Sequence, residues 1–380
     1  KREEMKMLKR VLPCLLAAVM LLTGCQTQSN QKQNTADAQA TETTQTTQET
    51  QQPEEAETRI FVDPADREVE IPPQIDKVAA SGVPAQMVLF TVCPDKMVGL
   101  ARQFSEENLK YLDEKYQNMT EFGQFYGKNA NLNMEALLKA DPDVIIDIGE
   151  YKDSIASDMD GLQQQIGIPV VFIEADLENY DKTYAMLQDL LGEEEPAATM
   201  EEYARTTIEQ AKEISAQIGE EERKSVYMAL GENGLSTNAK GSYHAQILEL
   251  VGAENAADTQ MDSKGGGSEI SFEQLMLWNP DVIITDQEDT YQMILQDEMW
   301  STLDAVKNGQ VYKIPTAPFN FVSDPPSVNR LIGISWLGNL IYPEKYSFDQ
   351  QTLIEFSDLF YHTALTEQDA QEILLHAVAE

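Results

Sequence analysis

Thiols and imidazoles are few in this 380-residue sequence. There are three cysteines, Cys14, Cys25 and Cys93, and three histidines, His244, His362 and His376. No G-x-x-x-x-G-K-[ST] loop is present to cradle phosphates, no H-E-x-x-H pair to hold zinc, and no G-x-S-x-G elbow to present a serine. The GGGS stretch at 265–268 lacks the lysine of a phosphate loop and reads as a flexible connection before a helix. His362 and His376 fall in an acidic carboxyl-terminal stretch with no motif, and Cys93, beside Pro94, reads as a small buried hydrophobe. Such an inventory suits recognition better than bond breaking. The expectation is a protein that is not an enzyme and holds no cofactor of its own.

Two carboxylates stand out by position. NMEALLKADPDVIID (133–147) and SFEQLMLWNPDVIIT (271–285) align without a gap and place Glu135 and Glu273 at equivalent sites. In each copy Asn133 or Ser271 can cap a short helix, and Ser271 with Gln274 has capping-box spacing. The helix must stop before Pro142 or Pro280, because proline cannot continue the hydrogen-bond ladder. The Val and Ile run that follows has no alternation, which suits a parallel strand covered on both faces. Further strands are expected at 77–81, 97–100 and 169–173 in the first half, and at 225–230 and 310–314 in the second. Strands alternating with helices give an α/β fold with two Rossmann-like lobes of parallel sheet. The stretch from Ala197 to Ile218 has helical apolar spacing and no proline, so a long helix joins the lobes. The expected organisation is a first lobe at 58–179, the connecting helix at 180–216 and a second lobe at 217–380.

Residues 1–57 read differently. Basic residues open the sequence, and an apolar run of about twelve residues follows, too short for a stable membrane span of roughly twenty. Leu22, Thr23, Gly24 and Cys25 after it resemble the lipobox of bacterial lipoproteins. The expectation is a signal peptide at 1–24 and a lipid on the sulfur of Cys25. From Gln26 to Glu57 no Val, Ile, Leu, Met or aromatic residue occurs, so 25–57 reads as a lipidated cysteine and a disordered tether. With the signal removed, only Cys93 would remain as a thiol in the folded part, leaving no partner for an internal disulfide. The formal net charge of −38 argues against nucleic acid as a partner.

The lipobox, the tether, the strand pair at 62–72 and the repeated PDVII segment together resemble the substrate-binding proteins of bacterial ABC importers. The similarity is to the class with a rigid helical backbone that serves siderophores, haem, cobalamin and some metal oxyanions. Residues 231–257 resemble its second-lobe ligand loop and helix. Residues 318–346 resemble a branch for iron complexes or molybdate-like oxyanions, in which the position of Phe321 is often tryptophan. The resemblance implies a ligand cleft between the lobes, at the carboxyl ends of the strands, as open α/β sheets favour. The candidate contacts are Arg102, Tyr126 and Lys128 from the first lobe, and Asn238, Lys240, Tyr243, His244 and Asn320 from the second. Arg, Lys and Tyr suit an anionic ligand, while His and Tyr also suit ferric iron or a chelate. Ser242 can cap the helix expected to begin near Tyr243. The resemblance further implies that Glu135 and Glu273 dock on a permease dimer. The implied function is an extracytoplasmic, lipid-anchored carrier for an iron complex or related chelate, with an oxyanion or corrinoid as the alternative. A two-lobed chelatase enzyme is the competing class.

Overall fold

The computed structural model describes residues 57–127, 130–260 and 267–379. Near its amino-terminal end β1 (Arg59–Val62) pairs antiparallel with β2 (Glu68–Ile71). Phe61, Val69 and Ile71 turn inward while Ile60 and Val62 stay exposed, the two-residue period of a ribbon covered on one face. Buried Arg67 ties this ribbon down, with Nη1 2.7 Å from Asp63 and donating to the carbonyl of Val170 at 3.0 Å.

The first lobe contains a parallel sheet of β3 (Val78–Ala80), β4 (Val144–Gly149) and β5 (Val170–Glu174), with β4 central. The second lobe holds β6 (Ser225–Met228), β7 (Ser236–Thr237), β8 (Glu254–Asn255), β9 (Ser268–Glu269), β10 (Val282–Thr285) and β11 (Val311–Lys313). Four of these make a parallel sheet in the order β11-β10-β6-β8, and β7 pairs with β9 beside it. The 97–100 stretch, expected as a strand, forms only single bridges, Val78 to Met97 and Leu100 to Glu121. Gly99 lets the ring of Phe122 pack against this stretch, where a Cβ would collide with it.

The unalternating strands are two-faced in the way their composition requires. Val144, Ile146 and Ile148 of β4 enter one apolar core, and Ile145 enters another. Likewise Val282 and Ile284 of β10 face the shared core, and Ile283 faces a separate outer one. The shared core runs through both lobes, so it has no boundary at which they could part freely.

Helices cover the sheets. In the first lobe these are α1 (Val83–Val92), α2 (Glu106–Leu109), α3 (Met134–Ala140) and α4 (Ile155–Ile166). The connection is α5 (Tyr180–Leu191) and α6 (Glu194–Gln217), which pack on one another. Residues 180–216 are thus two helices, parted where Gly192 takes φ 70°. The second lobe has α7 (Gln246–Leu250), α8 (Phe272–Trp278), α9 (Glu288–Gln296), α10 (Asp304–Lys307) and α11 (Arg330–Ile341). Helix α6 touches α1 on one side and α7 and α11 on the other.

The chain then returns. Helix α12 (Gln350–Tyr361) packs on α1 of the first lobe, and α13 (Glu367–Ile373) packs on α12. Phe356 and Phe360 of α12 meet Tyr203 of α6, with Phe360 also against Tyr184 of α5. His362 follows, its Nε2 2.9 Å from the carbonyl of Thr91. The lobes are joined both through α6 and through this returning strap.

The repeated helices form as their residues dictate. Asn133 accepts the N–H of Ala136 and Ser271 that of Gln274, at 3.1 and 3.2 Å. Asp141 and Asn279 end the helices in the left-handed conformation one residue before each proline.

Candidate functional site

Two cavities of about 440 Å³ each flank the first turn of α1, which leads out of β3. The first lies between the lobes. Val83, Gln86, Met87 and the Arg102–Asn108 segment wall it on one side; Asp286, Asn320 and Asp324 face them from the second lobe. Hydrogen bonds bridge its rim. Asn108 donates to the carbonyl of Pro318 at 2.5 Å, and the Thr316 hydroxyl to Glu107 at 3.2 Å. Arg102 Nη2 stands 3.9 Å from Asp324, so this candidate reaches across the cleft. Its placement depends on Gln86, a buried α1 side chain whose Oε1 accepts the N–H groups of Ala101 and Arg102. Asn320 lines the same cavity, but its side-chain oxygen already accepts from Val322 and Ser323, which fixes the turn.

The second cavity is built on β4. Asp147, the last residue of the first repeat copy, is buried and accepts from Ser81 and, at 2.9 Å, from the Tyr126 hydroxyl. Burial pushes the Asp147 carboxyl upward despite these bonds. Burial and then the charge of Asp147 push the Tyr126 phenol upward, so it stays a donor. Glu150 and Lys152 complete this wall, with the Lys152 ammonium 5.3 Å from the Tyr126 ring.

Tyr243 and His244 sit in a single 3₁₀ turn, Tyr243–Ala245, before α7. The capping expected of Ser242 does not occur: its side chain makes no cap bond, and its hydroxyl is buried without a partner. The 3₁₀ turn replaces the first turn of a regular helix there. Tyr243 lies under the guanidinium of Arg330 at 4.5 Å, and its carbonyl accepts from Arg330 Nη1 at 3.0 Å. His244 Nδ1 is 3.3 Å from the carbonyl of Ser323, and burial lowers its pKa, so the ring is neutral at pH 7. The Tyr243 hydroxyl donates to the carbonyl of Pro326 at 3.4 Å, so both residues face the 323–326 loop, behind the cavity wall that Asp324 and Pro325 form, and line neither cavity.

Other candidates lie elsewhere. Asn238 is buried, its carbonyl taken by Asn255. Lys240 pairs with Glu254 at 3.1 Å on the surface and lines neither cavity. Lys128 and Cys25 fall outside the described residues. Glu135 and Glu273 are exposed in the first turns of α3 and α8. Cys93 is buried, and burial raises its thiol pKa. His376 stacks on Tyr291 at 4.8 Å, and Phe321 is fully buried against Trp336.

Three residues at or behind this site escaped the sequence reading. Arg330 is fully buried at the start of α11 beside Tyr180; its Nε and Nη2 make no close hydrogen bond, and it lines neither cavity. Asp286 follows β10 with a buried, unpartnered Oδ1, and burial raises its pKa. Gln86 is the third. A signal existed for the first two. An arginine opening an apolar helix and an aspartate directly after the second PDVIIT copy are both costly placements.

A family model described as periplasmic binding protein matches residues 95–318, more than half of the chain. This chain belongs to the periplasmic binding protein family. The family is one of transporter solute-binding proteins, which are not enzymes. Among the relatives of this periplasmic binding protein is YvrC of Bacillus subtilis, described as an uncharacterized ABC transporter substrate-binding lipoprotein. It is 23% identical over 344 residues, covering 87% of this chain and 96% of YvrC. The molybdate-binding protein MolA of Haemophilus influenzae is 25% identical over 341 residues, covering 82% of this chain and 93% of MolA. An ABC transporter solute binding protein from Sulfurospirillum deleyianum superposes with a TM-score of 0.76 at 28% identity, covering 83% of this chain and 99% of that one. The two-lobed α/β architecture expected from the repeat is the fold of these proteins.

Proposed function

We propose that this periplasmic binding protein captures an iron complex or related metal chelate in the cleft between its lobes and delivers it to an ABC permease dimer. Its place would be the extracytoplasmic face of the membrane, held by a lipid on Cys25. The observation that carries the ligand class is the charge of the interlobe cavity and of the first-lobe cavity beside it. Glu107, Asp286 and Asp324 stand against Arg102 in one cavity, and Asp147 and Glu150 against Lys152 in the other. A free dianion entering there would meet more like charges than opposite ones, whereas a chelate that offsets its metal's charge would not. Arg102 and His244, from opposite lobes, would contact the complex, with Tyr126 and Tyr243 as further contacts.

Two observations favour a second reading, a molybdate-like oxyanion. Arg330 places a buried guanidinium beside Tyr243, and the molybdate-binding protein MolA aligns along most of the chain. Native mass spectrometry of residues 58–380 purified from the source cell, with elemental analysis for Fe, Co, Mo and W, separates the two. The expected result is iron together with an organic chelator mass. Stoichiometric Mo or W without organic mass would replace this reading by the oxyanion one, and Co with a corrinoid mass by a third. For the anchor, Cys25→Ala should release the protein to the medium or leave it unprocessed; unchanged mass and membrane association would remove Cys25 from the proposal.

A further inference from the structure

The two repeated helices, α3 and α8, each bury one stripe and leave another bare. Leu137 and Leu275 at equivalent positions are fully buried. On the opposite side the residues three and four positions beyond each glutamate share its face. On α3 these are Leu138, 50% exposed, and Lys139; on α8 they are Met276, 46% exposed, and Leu277, 80% exposed. Leu277 is the most exposed large apolar side chain among the described residues, and three of the ten such side chains sit on these two seven-residue helices. Neither Glu135 nor Glu273 has a hydrogen-bond or ion-pair partner among the described residues. Capping at both ends fixes these helices in shape, so the bare faces are preformed.

We infer that these faces are unequal halves of one docking surface, and that Met276 and Leu277 carry most of its apolar contact while Leu138 carries less. The inference rests on the importer reading above and names the partner chemistry: a membrane-embedded dimer offering, on each subunit, an apolar socket beside a cation. The cation would meet the unpaired glutamate, and the socket would take the leucine or methionine one turn along. The lobes differ because Lys139 stands where the second lobe has Leu277. A lysine at that place keeps its ammonium at the rim, so the second lobe seats more deeply in its socket.

The test places a photo-activatable benzophenone residue singly at positions 135, 138, 273, 277 and, as a control, 375 in the full-length protein in its source cell. Position 375 holds an apolar side chain, 55% exposed, on the carboxyl-terminal segment. Positions 135, 138, 273 and 277 should cross-link to a polytopic membrane subunit that associates with an ATPase, and 375 should not. In a second arm, Leu277→Ser should lower the cross-link from position 273 by about tenfold, and Leu138→Ser should lower that from 135 by only about two- to threefold. Both variants should unfold at the wild-type temperature, since both side chains face water. Cross-links from 135 and 273 but not from 138 and 277, or equal losses in the two serine variants, would overturn this inference and leave the importer reading standing. Cross-links only to further copies of this chain, or to no membrane protein, would overturn both.

Discussion

Asp286 sits in the cleft with one carboxylate oxygen buried and unpartnered, and burial raises its pKa above the ordinary 3.8. A carboxyl that holds its proton more tightly folded than unfolded favours the folded state at low pH. That contribution fades as pH rises from about 3.8 through the raised value. Asp286→Asn should therefore be more stable than wild type at pH 7, with the difference closing below pH 4. Urea midpoints at the two pH values check this, and a constant difference would show that ionisation is not the cause. Arg102 and His244 make different demands. Each is tied to the 323–326 loop by one long contact, 3.9 Å to Asp324 and 3.3 Å to the Ser323 carbonyl, so neither is needed to fold the chain. Arg102→Ala and His244→Ala should each weaken chelate binding at least tenfold, about 1.4 kcal/mol, while leaving the melting temperature near wild type. Calorimetric titration gives the answer, and wild-type affinity in both variants would move the ligand away from this loop.

Among the elements, α11 decides where the cleft loop lies. It is buried nearly all round, and two glycines let neighbours approach its backbone. A Cβ on Gly333 would collide with the carbonyl of Phe321, and one on Gly338 with the ring of Tyr346. The first contact seats the segment that supplies Asn320 and Asp324 to the cavity. Gly333→Ala must push that segment outward, an overpacking change worth about 2–3 kcal/mol. It should also lower ligand affinity, because Asn320 and Asp324 move with the loop. Chemical denaturation and a binding titration on the same preparation test both effects; full stability would show that the loop yields without strain.

For the whole molecule, the joints between lobes limit motion. A swinging pair of lobes needs a few extended residues free to change conformation. Here a 24-residue helix bridges the lobes, and α12 crosses back to pack its aromatic rings on α5 and α6. Rotating one lobe would part a core that is continuous through both. Small-angle scattering of residues 58–380 should thus change only slightly when ligand is added. A marked compaction would mean that α6 or its contacts with α12 give way.

Some of this was legible in the residues alone. PDVIID and PDVIIT, with Val-Ile-Ile directly after the first aspartate, require cover on both faces and so dictate parallel strands inside two α/β lobes. Asn133, Ser271 and the two prolines set the helix ends, because capping and ring closure act within a few residues. The cleft itself was not legible, since its contacts join residues far apart in the chain. Lys240 was drawn to Glu254, fourteen residues on, while Arg102 met Asp324 across the lobes. Nothing periodic marks Gln86 as the side chain that holds Arg102, or ties Arg330 to the ring of Tyr243. Local sequence determines which segments are helix or strand and which face each must bury. Only the packing of one lobe on the other decides which charges share a cavity, because that choice depends on distances no local pattern encodes.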